Sequence, residues 1–322
     1  MGLYVDRRWL GDHGIARFAT EVTTRFSLDA QKLCGARPFG ISAQLQSARI
    51  SSHHHIYSPG FNAGITGARQ LLTIHDLIHL DAHDERSVAK SLYYRLVVKP
   101  AIVRAGIVHT VSEYSRSRIT AWLGTEDVQI INVGNGVSPN FFTLSPRAEV
   151  APAMFLYVGN LKPHKNALVL LRALKIRPYF RILFVTRDAA LLRKWAIEIG
   201  VESQVKIQER VTDESLAALY RSCSGLLFPS LIEGFGFPAL EATVSGARVA
   251  YSSGCLATSE VLAGSGLAVS DFLSGEGWAL AMDDLLQFKF PDQKIIDTLR
   301  AKHSWDIVST HVQKSILKWR KA

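Results

Sequence analysis

Cysteine is scarce in this chain. Only Cys34, Cys223 and Cys255 occur among 322 residues, odd in number and far apart. That pattern excludes a disulfide framework and a clustered thiolate metal site, and it points to a reducing compartment. Long hydrophobic runs are missing as well. Although 48% of the residues are hydrophobic, no uncharged apolar stretch nears the ~20 residues needed to cross a bilayer. The opening Met1-Gly2-Leu3-Tyr4-Val5-Asp6 has neither the basic start nor the apolar core of a signal peptide. Asp6 also stands where N-myristoylation requires Ser or Thr. The expected location is cytoplasmic. Internal repeats and low-complexity tracts are lacking, and acids are outnumbered, 28 Asp and Glu against 37 Lys and Arg, for a net charge of +9. The basic residues are dispersed, apart from Lys318, Arg320 and Lys321 at the tail and the segment from Arg86 to Arg104. No RNA-binding or helix-turn-helix signature accompanies them, so nucleic acid is not the expected partner. Anionic lipid headgroups and phosphorylated small molecules account for the charge more simply. His53-His54-His55 suggests zinc, but consecutive strand residues point to opposite faces and no clustered Cys or His partners follow, so no metal is expected.

What is present is an alternation of short apolar runs with longer amphipathic ones, the βαβ pattern of an α/β protein with doubly wound parallel sheets. Strands are expected at Leu3–Asp6, His54–Ser58, Leu71–His75, Ile107–Val111 and Val128–Val133. Helices are expected near Gly14–Phe26, Arg86–Val103 and Glu113–Leu123. The pattern stops around Phe142–Pro152, between Pro146 and Pro152. A second series follows, with strands Phe155–Val158, Arg181–Val185, Val205–Ile207, Leu226–Pro229 and Arg248–Ser252. Its helices fall near Ala167–Leu174, Asp188–Ile199, Asp213–Ser222 and Pro238–Ser245. The expected division is a first domain over 1–145, a second over 146–305, and a C-terminal helix over 306–322 packing back across them. A chain of this length accommodates two such domains. Trp278 and Trp305 read as core or docking residues.

The densest signal is Phe228-Pro229-Ser230-Leu231-Ile232-Glu233-Gly234-Phe235-Gly236-Phe237-Pro238-Ala239-Leu240-Glu241-Ala242. It reads as a buried strand end, a glycine loop and a helix start. Gly234 and Gly236 permit a tight turn and close ligand approach, and Pro238 suits the first helical turn. The free N–H groups of that turn suit a phosphate. Glu233 and Glu241 bracket this anion site, where a carboxylate suits sugar hydroxyls or developing positive charge rather than phosphate. Gly234 to Ala239 also fits G-x-G-x-x-A of dinucleotide-binding units. That reading requires an acid roughly 20 residues on, at the end of the next strand. The strand candidate there ends in Ser252-Ser253-Gly254, so the dinucleotide reading is set aside.

Three further loops follow strands. Gly159-Asn160-Leu161-Lys162-Pro163-His164-Lys165-Asn166 opens a helix and brings two lysines to an anion. Leu72-Thr73-Ile74-His75-Asp76-Leu77 sets His75 and Asp76 just past the carboxyl end of a strand, the edge where open α/β sheets bind ligands. From spacing alone, a structural histidine held by Asp76 or a backbone carbonyl is the favoured reading. Gly11-Asp12-His13-Gly14-Ile15-Ala16-Arg17-Phe18 begins a helix, with Arg17 facing either a ligand or a surface salt bridge.

Taken together these segments resemble the GT4 family of retaining glycosyltransferases, which have the GT-B fold of two Rossmann-like domains facing a central cleft. The E-x7-E loop carries most of the likeness, joined by T-x-H-D-L, G-I-x-R-F and the strand-loop-helix around Lys165. Ile56-Tyr57-Ser58-Pro59, Thr110-Val111-Ser112-Glu113-Tyr114-Ser115, Asn135-Gly136-Val137 and His303-Ser304-Trp305 add to it in the family's order. The resemblance implies transfer of a hexose from a nucleotide diphosphate sugar with retained anomeric configuration, without metal or other cofactor. It assigns Glu233, His75 and Lys165 to catalysis. Gly14, Asn160, Lys162, Phe235, Gly236, Phe237 and Glu241 would bind the donor. Arg17, Asp76 and Tyr57 would lie on the acceptor or phosphate side. The family usually carries an arginine where this chain has Asn160 or His164, which leaves the second phosphate ligand open, since Lys162 offers a point charge and not a fork. The pattern is nearest the mannosyltransferase-like branch, implying GDP-mannose as donor, with UDP- or dTDP-sugars and a catalytically inactive nucleotide-sugar-binding protein as alternatives. The implied acceptor is a glycan, a lipid-linked oligosaccharide for cell-surface polysaccharide or lipopolysaccharide, met peripherally at the inner face of the cytoplasmic membrane.

Overall fold

The computed structural model describes residues 2–11, 14–35, 41–81, 88–142 and 153–321. The chain divides into two compact units, residues 1–136 with 303–322, and residues 137–302. The sequence reading placed the boundaries at 145/146 and 305/306. The expected linker over 143–152, Asp12 and His13 of the first loop, and Arg86 lie outside the described residues.

The first unit opens with β1 (Leu3–Asp6), α1 (Gly14–Thr24), β2 (Gln31–Leu33), α2 (Ile41–Ala48), β3 (His55–Ser58) and β4 (Arg69–Leu72). It continues with α3 (Ile78–Asp81), α4 (Val88–Tyr93), a π-helical turn over Tyr94–Val98, α5 (Lys99–Ala105), β5 (Ile107–Thr110), α6 (Glu113–Leu123) and β6 (Gln129–Asn132). Four parallel strands run in the order β2-β1-β3-β4. A parallel bridge from Thr73 to His109 then joins the β5-β6 pair. Every residue of β3 and β5 is buried, as a parallel strand covered on both faces requires. Phe26 stacks on Tyr57, and Leu72, Ile74, Tyr94, Val98, Ile102 and Ile119 belong to one core. Ser112 caps α6 by accepting from the Ser115 N–H, and Gly106, at φ +71°, closes α5.

The second unit holds β7 (Met154–Val158), α7 (Leu168–Ile176), β8 (Arg181–Val185), α8 (Ala189–Ile199), β9 (Val205–Gln208), α9 (Asp213–Ser222) and β10 (Leu226–Phe228). It ends with α10 (Phe237–Val244), β11 (Val249–Ser252), α11 (Leu256–Leu262), β12 (Leu267–Val269), α12 (Gly275–Gln287) and α13 (Gln293–Lys302). Its six parallel strands run β12-β11-β10-β7-β8-β9. Renumbered within the unit this is 6-5-4-1-2-3, the Rossmann order, so the chain reverses its direction of travel between β7 and β10. Phe155, Leu170, Phe184, Leu227 and Trp278 lie in the core of this unit. Trp278, expected in the core, is fully buried and its indole N–H donates to the Phe272 carbonyl.

The last helix, α14 (Trp305–Lys321), belongs to the first unit. It lies against α1, where Ser309 Oγ donates to the Val22 carbonyl and Gln313 Nε2 to that of Arg25. Trp305, also expected to be a packing residue, is buried beside Phe18, and Gly136 leaves no room there for a Cβ. Of the three consecutive histidines, His54 accepts from the Gly2 N–H while His55 is buried against Trp319.

Candidate functional site

The carboxyl ends of β7 and β10 are neighbours at the point where the strand order of the second unit reverses, which is where open α/β sheets leave a ligand crevice. The two loops leaving these strands are bound to each other. The Leu231 N–H donates to the His164 carbonyl at 2.8 Å, and Lys165 Nζ meets Glu233 Oε1 at 2.6 Å. The two side chains are 20% and 12% exposed, so the pair is sheltered but still reachable.

Each loop is shaped by a few residues. After β7, Gly159 turns the chain and Asn160 Oδ1 accepts from the Lys162 N–H. The Tyr157 hydroxyl donates to the Asn160 carbonyl at 2.5 Å, and the Leu161 N–H donates to Asp188 Oδ2 at 2.7 Å. A single 3₁₀ turn over Pro163–Lys165 then aims Lys165 back toward β10. It closes on Asn166 at φ +52°, whose side chain donates to the Phe272 carbonyl. Lys162 and Asn160 stay exposed. Burial raises the Tyr157 hydroxyl well above its ordinary value, helped by the nearby Glu233 and Asp188, so it remains a proton donor at any working pH.

After β10, Gly236 at φ +105° is the residue before α10, and a Cβ there would meet Thr258 Oγ1 at 2.7 Å. Glycine is therefore required twice, for the backbone angle and for the contact. Phe235 is buried with its ring centroid 5.3 Å from that of Phe237. Pro238 lies in the first turn of α10, whose remaining N–H groups have no intrahelical acceptor and face the loop. Glu241, one turn on, is buried and accepts from the Tyr220 hydroxyl at 3.2 Å. Behind Gly236, Cys255 lies 3.2 Å from Thr258 Oγ1. Burial, with Glu233 adding, pushes its thiol up to about 11, which makes it a poor nucleophile at neutral pH.

The second unit thus brings together Asn160, Lys162, Lys165, Glu233, Phe235, Gly236, Phe237 and Glu241 on two adjoining loops and one helix start. Tyr220 and Asp188 escaped the sequence reading. Tyr220 is one more apolar position on an amphipathic helix, and Asp188 looks like an ordinary helix start, so neither leaves a signal before the fold is known.

In the first unit the strand order reverses between β1 and β3. Asp6 and Arg8 occupy that edge as a buried bidentate pair, Arg8 Nε to Asp6 Oδ1 at 2.8 Å and the second nitrogen to Oδ2 at 2.9 Å. Ser58 and Asn62 also donate to this carboxylate, at 3.4 and 3.3 Å. The sequence reading missed the pair, since an acid and an arginine two residues apart look like ordinary surface charge. His75, just past β4, is nearly buried. Its Nε2 lies 2.9 Å from the Pro59 carbonyl and its ring sits edge-on to Phe18. Asp76 accepts from the Ile78 N–H and so starts α3. Gly14 begins α1, with Arg17 half-buried one turn on. Tyr57 lies on β3. It is wholly buried, stacked on Phe26, with its hydroxyl 3.3 Å from Thr73 Oγ1.

Residues 145–298 match the family described as glycosyl transferases group 1. The match lies wholly within the second unit. The O-antigen chain mannosyltransferase RfbU of Salmonella typhimurium is 27% identical over 187 residues, 57% of this chain and 52% of its own length. The O-antigen chain mannosyltransferase B of Escherichia coli is 26% identical over 215 residues, 61% of this chain and 56% of its own. The chain therefore spans about half the length of these curated relatives. Among solved structures, Anabaena HepE in complex with UDP and glucose superimposes with a TM-score of 0.71 at 14% identity, covering 98% of each chain. The lipopolysaccharide outer core galactosyltransferase WaaB gives 0.67 at 16%, covering 98% of this chain and 99% of its own. At such identities the likeness establishes the GT-B fold alone. No helix among the described residues is long and apolar enough to cross a membrane.

Proposed function

We propose that this protein is a retaining hexosyltransferase that moves mannose from GDP-mannose to a hydroxyl of a lipid-linked glycan at the inner membrane face, in cell-surface polysaccharide or lipopolysaccharide synthesis. The observation that carries the reading is the Lys165–Glu233 pair at 2.6 Å, set at the switch point of a Rossmann-ordered sheet. A cation and a carboxylate side by side suit a ligand that carries phosphates next to hydroxyls. RfbU and its E. coli counterpart, both O-antigen chain mannosyltransferases, support the sugar and the setting.

In this reading Lys165 and the first N–H groups of α10 neutralise the diphosphate as it departs, with Lys162 beside them. Glu233 holds the sugar hydroxyls, and its charge favours an oxocarbenium-like state at the reacting carbon. Glu241, oriented by Tyr220, takes the ribose. Asn160, Phe235, Gly236 and Phe237 shape the donor loop, and Gly14 belongs to the donor side by resemblance. His75 is assigned to the transferred sugar, and Arg17 and Asp76 to the acceptor side, on the same ground. No side chain is assigned as a general base, and no metal or cofactor is invoked, since lysines and helix N–H groups supply the positive field.

The test is thermal stabilisation of the protein by GDP, UDP and dTDP, each with and without its sugar. Saturation at a hundred times Kd stabilises by about 2.7 kcal/mol, readily seen as a shift in Tm. GDP and GDP-mannose are expected to shift it and the others not. Stabilisation by UDP alone moves the donor to a UDP-sugar. No shift with any of them, even far above ordinary donor concentrations, removes the donor-site reading.

A further inference from the structure

We propose that the α4–π–α5 helix of the first unit is the surface by which this protein lies on an anionic phospholipid bilayer. Val88, Leu92, Leu96 and Val103 are 48% to 87% exposed. Their spacing of four, four and seven residues sets them along one stripe of the helix. The opposite stripe, Tyr94, Val98, Ala101, Ile102 and Ala105, is buried in the core of the unit. The segment therefore has two apolar faces, and only one of them is used by the fold. An exposed apolar stripe of this length costs solubility unless it meets an apolar phase.

The choice of partner follows from charge. Residues 88–105 contain Lys90, Arg95, Lys99 and Arg104 and no acid. The Lys99 ammonium lies over the Trp122 ring, and Arg104 donates to the Thr66 carbonyl, beside the exposed Ile65. The C-terminal basic cluster comes to the same end of the helix. Trp319 Nε1 donates to the Ala105 carbonyl at 3.0 Å, so the helix that carries the exposed Lys318 and Lys321 is tied to the end of α5. Basic residues therefore accompany the apolar stripe along its helix, and the basic C-terminal helix is bonded to the end of it. An apolar stripe bordered by lysine and arginine is what an interfacial helix presents to anionic headgroups, with the stripe sunk to the acyl boundary. A protein partner for the same stripe would need an acidic rim.

This inference deepens the proposed function by giving the membrane of the lipid-linked acceptor a landing surface, and it rests on that reading only for its purpose. The binding assay contains no sugar nucleotide, so its failure is distinct from failure of the donor site. The experiment is flotation of the full chain with vesicles of phosphatidylcholine alone and of an equimolar phosphatidylcholine–phosphatidylglycerol mixture. Binding is expected on the anionic vesicles only, and it should fall as salt rises. Lys90→Gln and Arg95→Gln should each weaken it about fivefold. Leu92→Ser with Leu96→Ser should abolish it while leaving the melting temperature and any nucleotide-induced shift unchanged, because both side chains are exposed. Absence of flotation on anionic vesicles overturns the proposal, as does undiminished flotation of the double leucine variant. So does self-association that the leucine changes remove without any vesicle binding, which would make a second copy the occupant of the stripe.

Discussion

Lys165 and Glu233 hold each other in place, and each competes with a ligand for the other. In the proposed function, a diphosphate arriving at the loops would accept the hydrogen bonds of the ammonium, and the carboxylate so released would turn to the neighbouring hydroxyls. The two residues therefore separate by experiment. Glu233→Gln keeps the shape and leaves Lys165 to the phosphates, so stabilisation by the nucleotide should persist while sugar transfer falls about 10²–10³-fold, the usual loss for one electrostatic partner of a transition state. Lys165→Ala should lose both. Because the pair is partly hydrated, neither change should cost more than about 1–3 kcal/mol of folding stability. Turnover of the Glu233→Gln variant near that of the unaltered protein would remove this residue from the chemistry. Both residues were legible in the sequence, because a glycine loop after an apolar run announces a carboxyl-edge site. Tyr220, Asp188 and the Asp6–Arg8 pair were not, since their roles arise from contacts between segments far apart in the chain.

At the scale of elements, the continuous apolar runs gave β5, β7, β8 and β10, and the capped amphipathic runs gave α6 and α9 with their observed ends. The strands β2 and β12 were silent, because three-residue edge strands with exposed positions carry no period. The π-turn at Tyr94–Val98 was equally silent. Strand order was not legible either, since neighbours in a sheet are chosen by crossovers and not by the strands themselves. The C-terminal helix was legible as an amphipathic stretch, and its place against α1 makes a prediction. Trp305, Val308, Val312, Ile316 and Trp319 are buried on α14, at about 1.5–3 kcal/mol each. Their sum is comparable to the whole stability of a domain, about 5–15 kcal/mol. A chain ending at residue 304 should therefore lose the first unit. Limited proteolysis should cleave within residues 2–136 while sparing residues 153–302. Resistance of both regions would show that α14 is an accessory to the fold.

The whole molecule carries +9 at neutral pH before any of its 11 histidines charge, so acid both raises self-repulsion and tests the histidines held neutral inside. His109 is the sharpest case. It lies wholly inside the first unit with Nε2 2.8 Å from Ser315 Oγ, and burial pushes its imidazole down to about 3. His55 moves in the same direction, through burial and the charges of Arg69 and Arg320. In the unfolded chain these imidazoles protonate at the ordinary value near 6.5. Above that value both states are neutral and the contribution to stability is complete. For His109, as pH falls from about 6.5 toward about 3 the unfolded chain takes up the proton that the fold refuses, and stability is lost at about 1.4 kcal/mol per pH unit. Urea unfolding should therefore show a falling midpoint from about pH 6.5 to about pH 4.5. The His109→Gln variant should show a flatter dependence across that window. The ring resonances of His109 should not titrate in the native state above about pH 5. A His109 ring that titrates near 6.5 in the folded protein would mean that water reaches it, and the acid sensitivity would then belong to the surface charge instead.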